Sequence, residues 1–278
     1  MTTESARTWQ SAEAAEVWRR SAARRAQFLT PATQRMLDAV GITTGMRVLD
    51  IAAGTGDQSI MAAQRIGPAG TLLATDISAS MLGGATEAAE AAGLTNIETM
   101  VADASALDVG NIEFDAAICR FGLMFVPDLH AALTRILTAL KPNARFGALV
   151  WSAEQRNPRI GLQIAIARDM GRLPSPPPSV VRAVSLGDPE KVGAAFREAG
   201  FRDVRVSPIA TPTEFASVDQ AAEAIRASSP AQGELTRNMS SDERAQYAKE
   251  LERRLATYLQ PDGRCVLPGE ALLGVGTR

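Results

Sequence analysis

The sequence predicts an α/β fold built on a doubly wound, mostly parallel seven-stranded sheet, with N-terminal helices and an inserted helical cap. Three observations lead there. Short apolar runs alternate with helical stretches at 46–52 (MRVLDIA), 71–77 (TLLATDI), 97–103 (IETMVAD), 114–120 (FDAAICR) and 145–151 (RFGALVW), the pattern of parallel strands covered on both faces and joined by crossover helices. The first run ends in VLDIAAGTGD (48–57), where Ala52, Ala53, Gly54 and Gly56 strip bulk from a turn that leads from strand to helix. The chain has 278 residues, 46% hydrophobic and 22% charged, which is enough for one full core with an elaboration.

In chain order, a helix is expected from about Glu13 to Phe28, with Trp18, Ala22 and Ala26 on one stripe and Arg19, Arg20, Arg24 and Arg25 mostly off it. The arginines read as a solvated basic face, or as part of a lid that brings them or Trp9 and Trp18 to a substrate. Thr30-Pro31 reads as the cap and first turn of a second helix ending near Gly41. Residues 1–40 are thus expected to form a helical lid and 41–152 an α/β core. After Trp151 the alternation stops at NPRIGLQIAIARDMGRL and the proline-rich PSPPPS, so 153–187 is expected to be a cap or loop insertion. The core resumes over 188–278. There Asp188 caps, Pro189 takes a first helical position and Gly200 ends the helix. FRDVRVSPI follows as a strand, SSDERAQYAKELERRLATYL places a helix near Ser241 to Leu259, and ALLGVGTR is a last strand pairing with the preceding one.

Composition excludes some roles. A net charge of −2 lacks the basic footprint of a nucleic-acid binder. Neither MTTESARTWQ nor any later stretch has the apolar length of a signal peptide or membrane span, so a cytoplasmic protein without membrane insertion is expected. Cys119 and Cys265 offer neither a disulfide framework nor a metal pattern. A small-molecule substrate is the expected partner, and a homodimer is compatible with the sequence.

The small-residue loop is where an open α/β sheet holds a nucleotide-containing cofactor. A dinucleotide fingerprint is broken at Ser59, and Asp57 sets a negative charge beside the turn. A cofactor with a positive centre and no phosphates suits such a loop better. Asp76, twenty residues beyond Gly56, ends the second strand where a carboxylate accepts ribose hydroxyls, and Asp103 ends the third, within reach of an adenine amino group.

VLDIAAGTGD, LATDISASML, VADASAL and RFGLMFVPDLHAALTRILTALKPNARFGALVWS resemble the successive motifs of the Rossmann-like class I S-adenosylmethionine-dependent methyltransferases, nearest the ubiquinone/menaquinone biosynthesis C-methyltransferase group. The resemblance covers about Met46 to Ser152. It implies S-adenosyl-L-methionine as cofactor and S-adenosyl-L-homocysteine as product. By motif, Asp50, Ala52, Gly54 and Gly56 line the methionine end. Asp76 takes the ribose, Ile77 and Met81 flank adenine, Asp103 and the Ala104 amide read its edge, and Arg120 sits near the carboxylate end or the acceptor.

Departures from the family pattern are equally legible. Ala52 replaces a common glycine, and KPNAR stands where the family has a proline and two glycines, leaving Asn143 to supply the left-handed turn. Met124 and Phe125 stand where related O-methyltransferases place a histidine base. The sole histidine, His130, falls at a helix start; the sequence assigns no catalytic residue, and Arg120 and His130 are candidates. Tyr247 or Tyr258 can approach from a cap. Trp9, Trp18, Phe121, Met124 and Phe125 are candidate walls of an apolar acceptor pocket. The resulting expectation is a methyltransferase for a small apolar or aromatic acceptor, with C- or O-methylation favoured over N. A non-methylating cyclisation or pericyclic catalyst on the same pocket, or a cofactor-sensing binding module, is the alternative.

Overall fold

The computed structural model describes residues 9–173, 179–227 and 234–278. The proline cluster at 174–178 lies outside the described residues, as does the start of the chain.

The N-terminal region departs from expectation. Helix α1 (Ala12–Arg20) opens on Ser11, whose hydroxyl accepts the Ala14 N–H, and stops at Ser21. Helix α2 (Ala22–Val40) then runs without interruption through Pro31. The break at Ser21 resets the helical phase, so Arg25 is buried and Ala26, expected on the apolar stripe, is exposed. No helix begins at Thr30. Pro31 forfeits an intrahelical bond, a cost of about 3 kcal/mol. Burial of Phe28, Leu29, Ala32, Met36 and Leu37 outweighs it, since each large apolar side chain contributes about 1.5–3 kcal/mol. Helix α2 ends as expected, with Gly41 at φ 77° and the Ile42 N–H donating back to Leu37.

Among the described residues the strands are β1 (Arg47–Ile51), β2 (Thr71–Asp76), β3 (Ile97–Val101), β4 (Phe114–Arg120), β5 (Leu140–Trp151), β6 (Arg202–Ala210), β7 (Thr213–Phe215), β8 (Cys265–Leu267) and β9 (Glu270–Thr277). Seven form one sheet in the order β3-β2-β1-β4-β5-β9-β6. β1 to β5 run parallel, and β9 inserts antiparallel between β5 and β6. β7 and β8 make a separate antiparallel pair. Val48, Leu49, Asp50 and Ile51 are all buried, as befits a central strand covered on both faces.

Crossover helices α3 (Asp57–Ile66), α4 (Ala79–Ala91) and α5 (Leu129–Ala139) follow β1, β2 and β4. On one face, α2 lies across β5 so closely that a Cβ on Gly147 would stand 2.5 Å from Val40 Cγ1. Helix α2 is therefore a wall of the core, and of the expected 1–40 lid the described part outside that wall is α1 with Trp9. Near the start of β5, Asn143 adopts φ 66°, the left-handed conformation its sequence context required.

Helix α6 (Pro158–Asp169) precedes α7 (Pro189–Glu198), which opens as anticipated with the Asp188 carboxylate accepting the Glu190 N–H and Pro189 in the first turn. α8 (Val218–Ala227) and α9 (Ser241–Leu255) lie between β7 and β8. α9 carries a capping box between Ser240 and Glu243 and ends at Leu255, short of the expected Leu259, where a 3-10 turn takes over. α6, α8 and α9 bury Ile164, Ile225, Leu251 and Leu255 together as one helical cap. The helix from the expected 153–187 insertion thus meets the two helices between β7 and β8.

Candidate functional site

Strand order reverses between β1 and β4, and in such sheets the crevice beyond the strand ends at the reversal is the binding position. A cavity of about 370 Å³ occupies it. Its wall is drawn from the β1–α3 loop, the ends of β2, β3 and β4, helices α1 and α2, and the first turn of α6.

The loop is shaped by backbone conformation. Ala52 and Gly54 have φ of 55° and 57° and face the cavity. Ala52 pays the steric cost of a left-handed alanine, and its methyl group fits because residue 122 is glycine: a Cβ on Gly122 would stand 2.3 Å from Ala52 Cβ. Gly56, at φ 85°, packs on α4, where a Cβ would lie 3.0 Å from Ala85 Cβ. Gly56 therefore fixes the turn and lies outside the cavity wall.

Asp50 is also outside it. Its carboxylate is fully buried beneath the loop and accepts from Gln58 Nε2 at 3.1 Å and Ser59 Oγ at 2.5 Å. Burial pushes its pKa up to about 7 against the opposing pull of those two bonds. Asp50 holds the loop instead of reaching into the cavity, and Ser59, which broke the dinucleotide pattern, is there to hold Asp50.

Asp76 does line the cavity. One oxygen accepts the Gly54 N–H and the other the Ser78 N–H, each at 2.9 Å. Burial nevertheless raises its pKa, with these backbone bonds offsetting only in part. A carboxylate so placed has lone pairs left for hydroxyl donors. Ile77, Met81, Asp103 and Ala104 line the same region, and the Asp103 carboxylate accepts from the backbone and hydroxyl of Ser105.

The charge beside the loop differs from expectation. Asp57 does not stand alone: its Oδ2 accepts from Arg25 Nε and Nη2 at 3.1 and 2.9 Å and from Arg120 Nη2 at 3.0 Å. Arg120 also donates to Thr33 Oγ1 at 3.0 Å. Two buried guanidinium groups sharing one carboxylate leave a net positive charge at the cavity wall. Burial lowers the pKa of both, that of Arg25 to about 10, against the pull of Asp57.

Aromatic rings close the cavity. Arg25 stacks over Trp18 at 3.9 Å, and Trp9 sits edge-on to Trp18 at 5.4 Å and 5.3 Å from Phe125. Trp18 leans on the loop, its Nε1 being 3.2 Å from where a Gly54 Cβ would stand. The Trp9 indole N–H is buried and donates to no acceptor among the described residues. Phe121 holds a left-handed φ of 58° and stacks on Trp151 with centroids 4.1 Å apart. Met124 is buried and lines the wall as well.

His130 is exposed at the start of α5 and takes no part in the cavity wall. Tyr247 is buried in the cap, 3.5 Å from Gln163 Oε1, and Tyr258 likewise lies off the wall. Among the described residues no cluster of His, Cys, Asp or Glu is arranged to hold a metal ion, and no helix is long and apolar enough to cross a membrane.

Sequence reasoning missed Phe28, Trp151 and Arg159; for Arg25 it allowed a solvated face or a lid, and the structure buries it at the cavity wall. Arg159 is the second residue of α6, where its guanidinium lies 4.7 Å from the Phe28 ring and 5.3 Å from the Trp151 ring. One signal was legible. A cation in the first turn opposes the helix dipole, and this one follows Asn157-Pro158 at the start of an otherwise apolar stretch.

Residues 48–143 match the methyltransferase domain family. An uncharacterized protein of Mycobacterium tuberculosis is 34% identical over 128 residues, 46% of this chain and 45% of that one. The ubiquinone/menaquinone biosynthesis C-methyltransferase UbiE of Cellvibrio japonicus is 38% identical over 117 residues, 42% of this chain and 47% of its own. The chain thus aligns with less than half the length of these curated relatives. Among solved structures, the YcgJ protein of Bacillus subtilis superposes with a TM-score of 0.60 at 19% identity, over 90% of this chain and 98% of that one. That likeness establishes the Rossmann-like fold seen in the strand order.

Proposed function

We propose, from the methyltransferase domain carried by residues 48–143, that this protein is an S-adenosylmethionine-dependent methyltransferase acting on a small apolar or aromatic acceptor. The observation that carries the reading is the cavity at the strand-order reversal, where Asp76 and Asp103 meet the bare loop at Gly54 under an aromatic roof.

The residues fit the cofactor. Asp76 keeps acceptor capacity beyond its two backbone bonds, and two ribose hydroxyls would supply donors to a carboxylate whose burial is incompletely compensated. Ile77 and Met81 would flank adenine, with Asp103 and the Ala104 amide at its edge. Ala52 and Gly54 would border the methionine portion, and the surplus positive charge of Arg25 and Arg120 would answer its carboxylate. When bound, S-adenosylmethionine supplies an electrophilic methyl group on a sulfonium.

The chain's own residues then have three tasks. The first is alignment: a nucleophile held ~3 Å from the methyl carbon captures most of the available rate enhancement. The stacked Phe121 and Trp151, with Phe28, offer flat apolar surfaces for that purpose. The second is exclusion of water by Trp9, Trp18 and Phe125, which pack on one another along the wall. The third is charge. No histidine or tyrosine lines the wall among the described residues, so ionisation of the acceptor falls to the electrostatic field. The shared carboxylate of Asp57 leaves Arg25 and Arg120 with a net positive charge. Such a field lowers the pKa of a phenol or enol and so supplies the electron-rich anion that C- or O-methylation uses.

Calorimetric titration with S-adenosylmethionine, S-adenosylhomocysteine and NAD tests the reading. The first two should bind and NAD should not. Asp76→Ala should weaken binding at least tenfold, the scale of a lost hydrogen bond to a charged group at about 1.5–3 kcal/mol. Failure of the folded protein to bind either would overturn the assignment. Release of S-adenosylhomocysteine in proportion to product, on phenolic acceptors, separates methyl transfer from cyclisation on the same pocket.

A further inference from the structure

Among the described residues three arginines reach the cavity wall, and they are not equivalent. Arg25 and Arg120 spend their donors on Asp57, Thr33 and Trp18 O. Among the described residues Arg159 has no ion pair and its guanidinium donates to no protein acceptor; its backbone carbonyl, part of the α6 ladder, also accepts from Gln163 Nε2. Burial lowers its pKa to about 10, and the neighbouring Arg25 and Arg24 push the same way. Arg159 is half-buried in the cavity wall; a cation held largely away from water without a counter-ion is costly, and structures rarely retain one unless something pairs with it. The Phe28 and Trp151 rings flank Arg159 and offset part of that cost through their π faces. They do not satisfy its N–H donors, which are left in a fixed fork beside the Phe121–Trp151 stack.

We infer that Arg159 is a specificity-determining residue that receives a carboxylate carried by the acceptor, whose aromatic or apolar body lies along Phe121 and Trp151. This rests on the methyltransferase reading of the cavity and adds the acceptor's chemical class: an aromatic or apolar acid. A planar carboxylate matches the guanidinium fork with two parallel hydrogen bonds, and the Phe28 and Trp151 rings lie 4.7 and 5.3 Å from that fork. The cofactor is the other source of a carboxylate near the cavity, and the test separates the two.

The protein is saturated with S-adenosylhomocysteine and titrated with 2-naphthoate and with 2-naphthamide, which differ in charge and hardly in shape. The wild type should prefer naphthoate at least tenfold. Arg159→Gln should abolish the preference and leave S-adenosylhomocysteine affinity within about threefold, while Arg159→Lys should keep part of the preference. Among the described residues the Arg159 guanidinium has no hydrogen bond or ion pair to lose, only its contacts with the Phe28 and Trp151 rings, so both variants should melt near the wild type. Equal binding of the two probes, binding of neither, or a preference that survives Arg159→Gln overturns the inference. Loss of S-adenosylhomocysteine binding in Arg159→Gln also overturns it, by giving the arginine to the cofactor. If the wild type fails to bind S-adenosylhomocysteine, the cofactor reading is what fails. The naphthoate preference measured on the unloaded protein then decides Arg159 by itself.

Discussion

Replacing Asp57 by asparagine tests the electrostatics of the site directly. The substitution keeps an oxygen acceptor in place and removes the charge on which three guanidinium N–H groups converge at 2.9–3.1 Å. The Arg25 and Arg120 side chains are each 5% exposed and that of Asp57 17%, so solvent replaces little of what is lost. Removing one partner of a buried ion pair costs about 3–5 kcal/mol, because the remaining charge stays buried. Here two cations remain and repel each other. With an unfolding entropy of ~2.1 cal/mol/K per residue, a chain of 278 residues has roughly 0.6 kcal/mol/K. The expected drop in Tm is therefore about 5–9 °C. Scanning calorimetry and urea titration measure it, and Arg25→Met in the same background should recover part of the loss by removing one of the stranded cations. A Tm within 2 °C of wild type would refute the reasoning, since it would mean the cations are solvated through the cavity.

Three further outcomes are expected. Gly122→Ala should destabilise the loop by placing a methyl group 2.3 Å from Ala52 Cβ, and Ala52→Gly should rescue it in the double variant, a non-additivity visible in paired urea titrations. Asp50 keeps its proton to about pH 7 when folded, whereas an unfolded aspartate releases it near 3.8. Its contribution is therefore complete below about pH 4 and lost as pH rises to 7. Asp50→Asn should flatten that slope in Tm against pH, and an unchanged slope would count against the buried carboxyl. Trp18→Ala removes the stack on Arg25 and the cover over Gly54. If α1 acts as a lid, turnover should fall more than S-adenosylhomocysteine affinity, and an equal loss of both would sink that role.

Much of the core was legible because its signals are local. Each strand run from MRVLDIA to RFGALVW shows its burial in its own composition, and Gly54, Asp76 and Asp103 are positioned by short stretches of chain that any parallel sheet would hold the same way. The caps at Asp188 and Ser240 and the turn at Asn143 are equally local. The N-terminal helices were misread where a local rule met a tertiary force. Pro31 signals a helix start by propensity, and the apolar face of α2 against β5 overrides it.

Charge placement was hardest to read, because pairing depends on separations in space that sequence distance hides. Arg25 lies 32 positions from Asp57 and Arg120 lies 63, yet they share one carboxylate oxygen. Arg159 comes to the cavity from a stretch without motifs, carried there by α6. The sequence by itself determined the sheet, the bare loop and the acidic strand ends, because backbone geometry and burial periodicity are written residue by residue. Only the tertiary structure decided which arginines are neutralised and which one is left for a ligand, because the energy of a charge depends on what folding brings within a few ångströms of it.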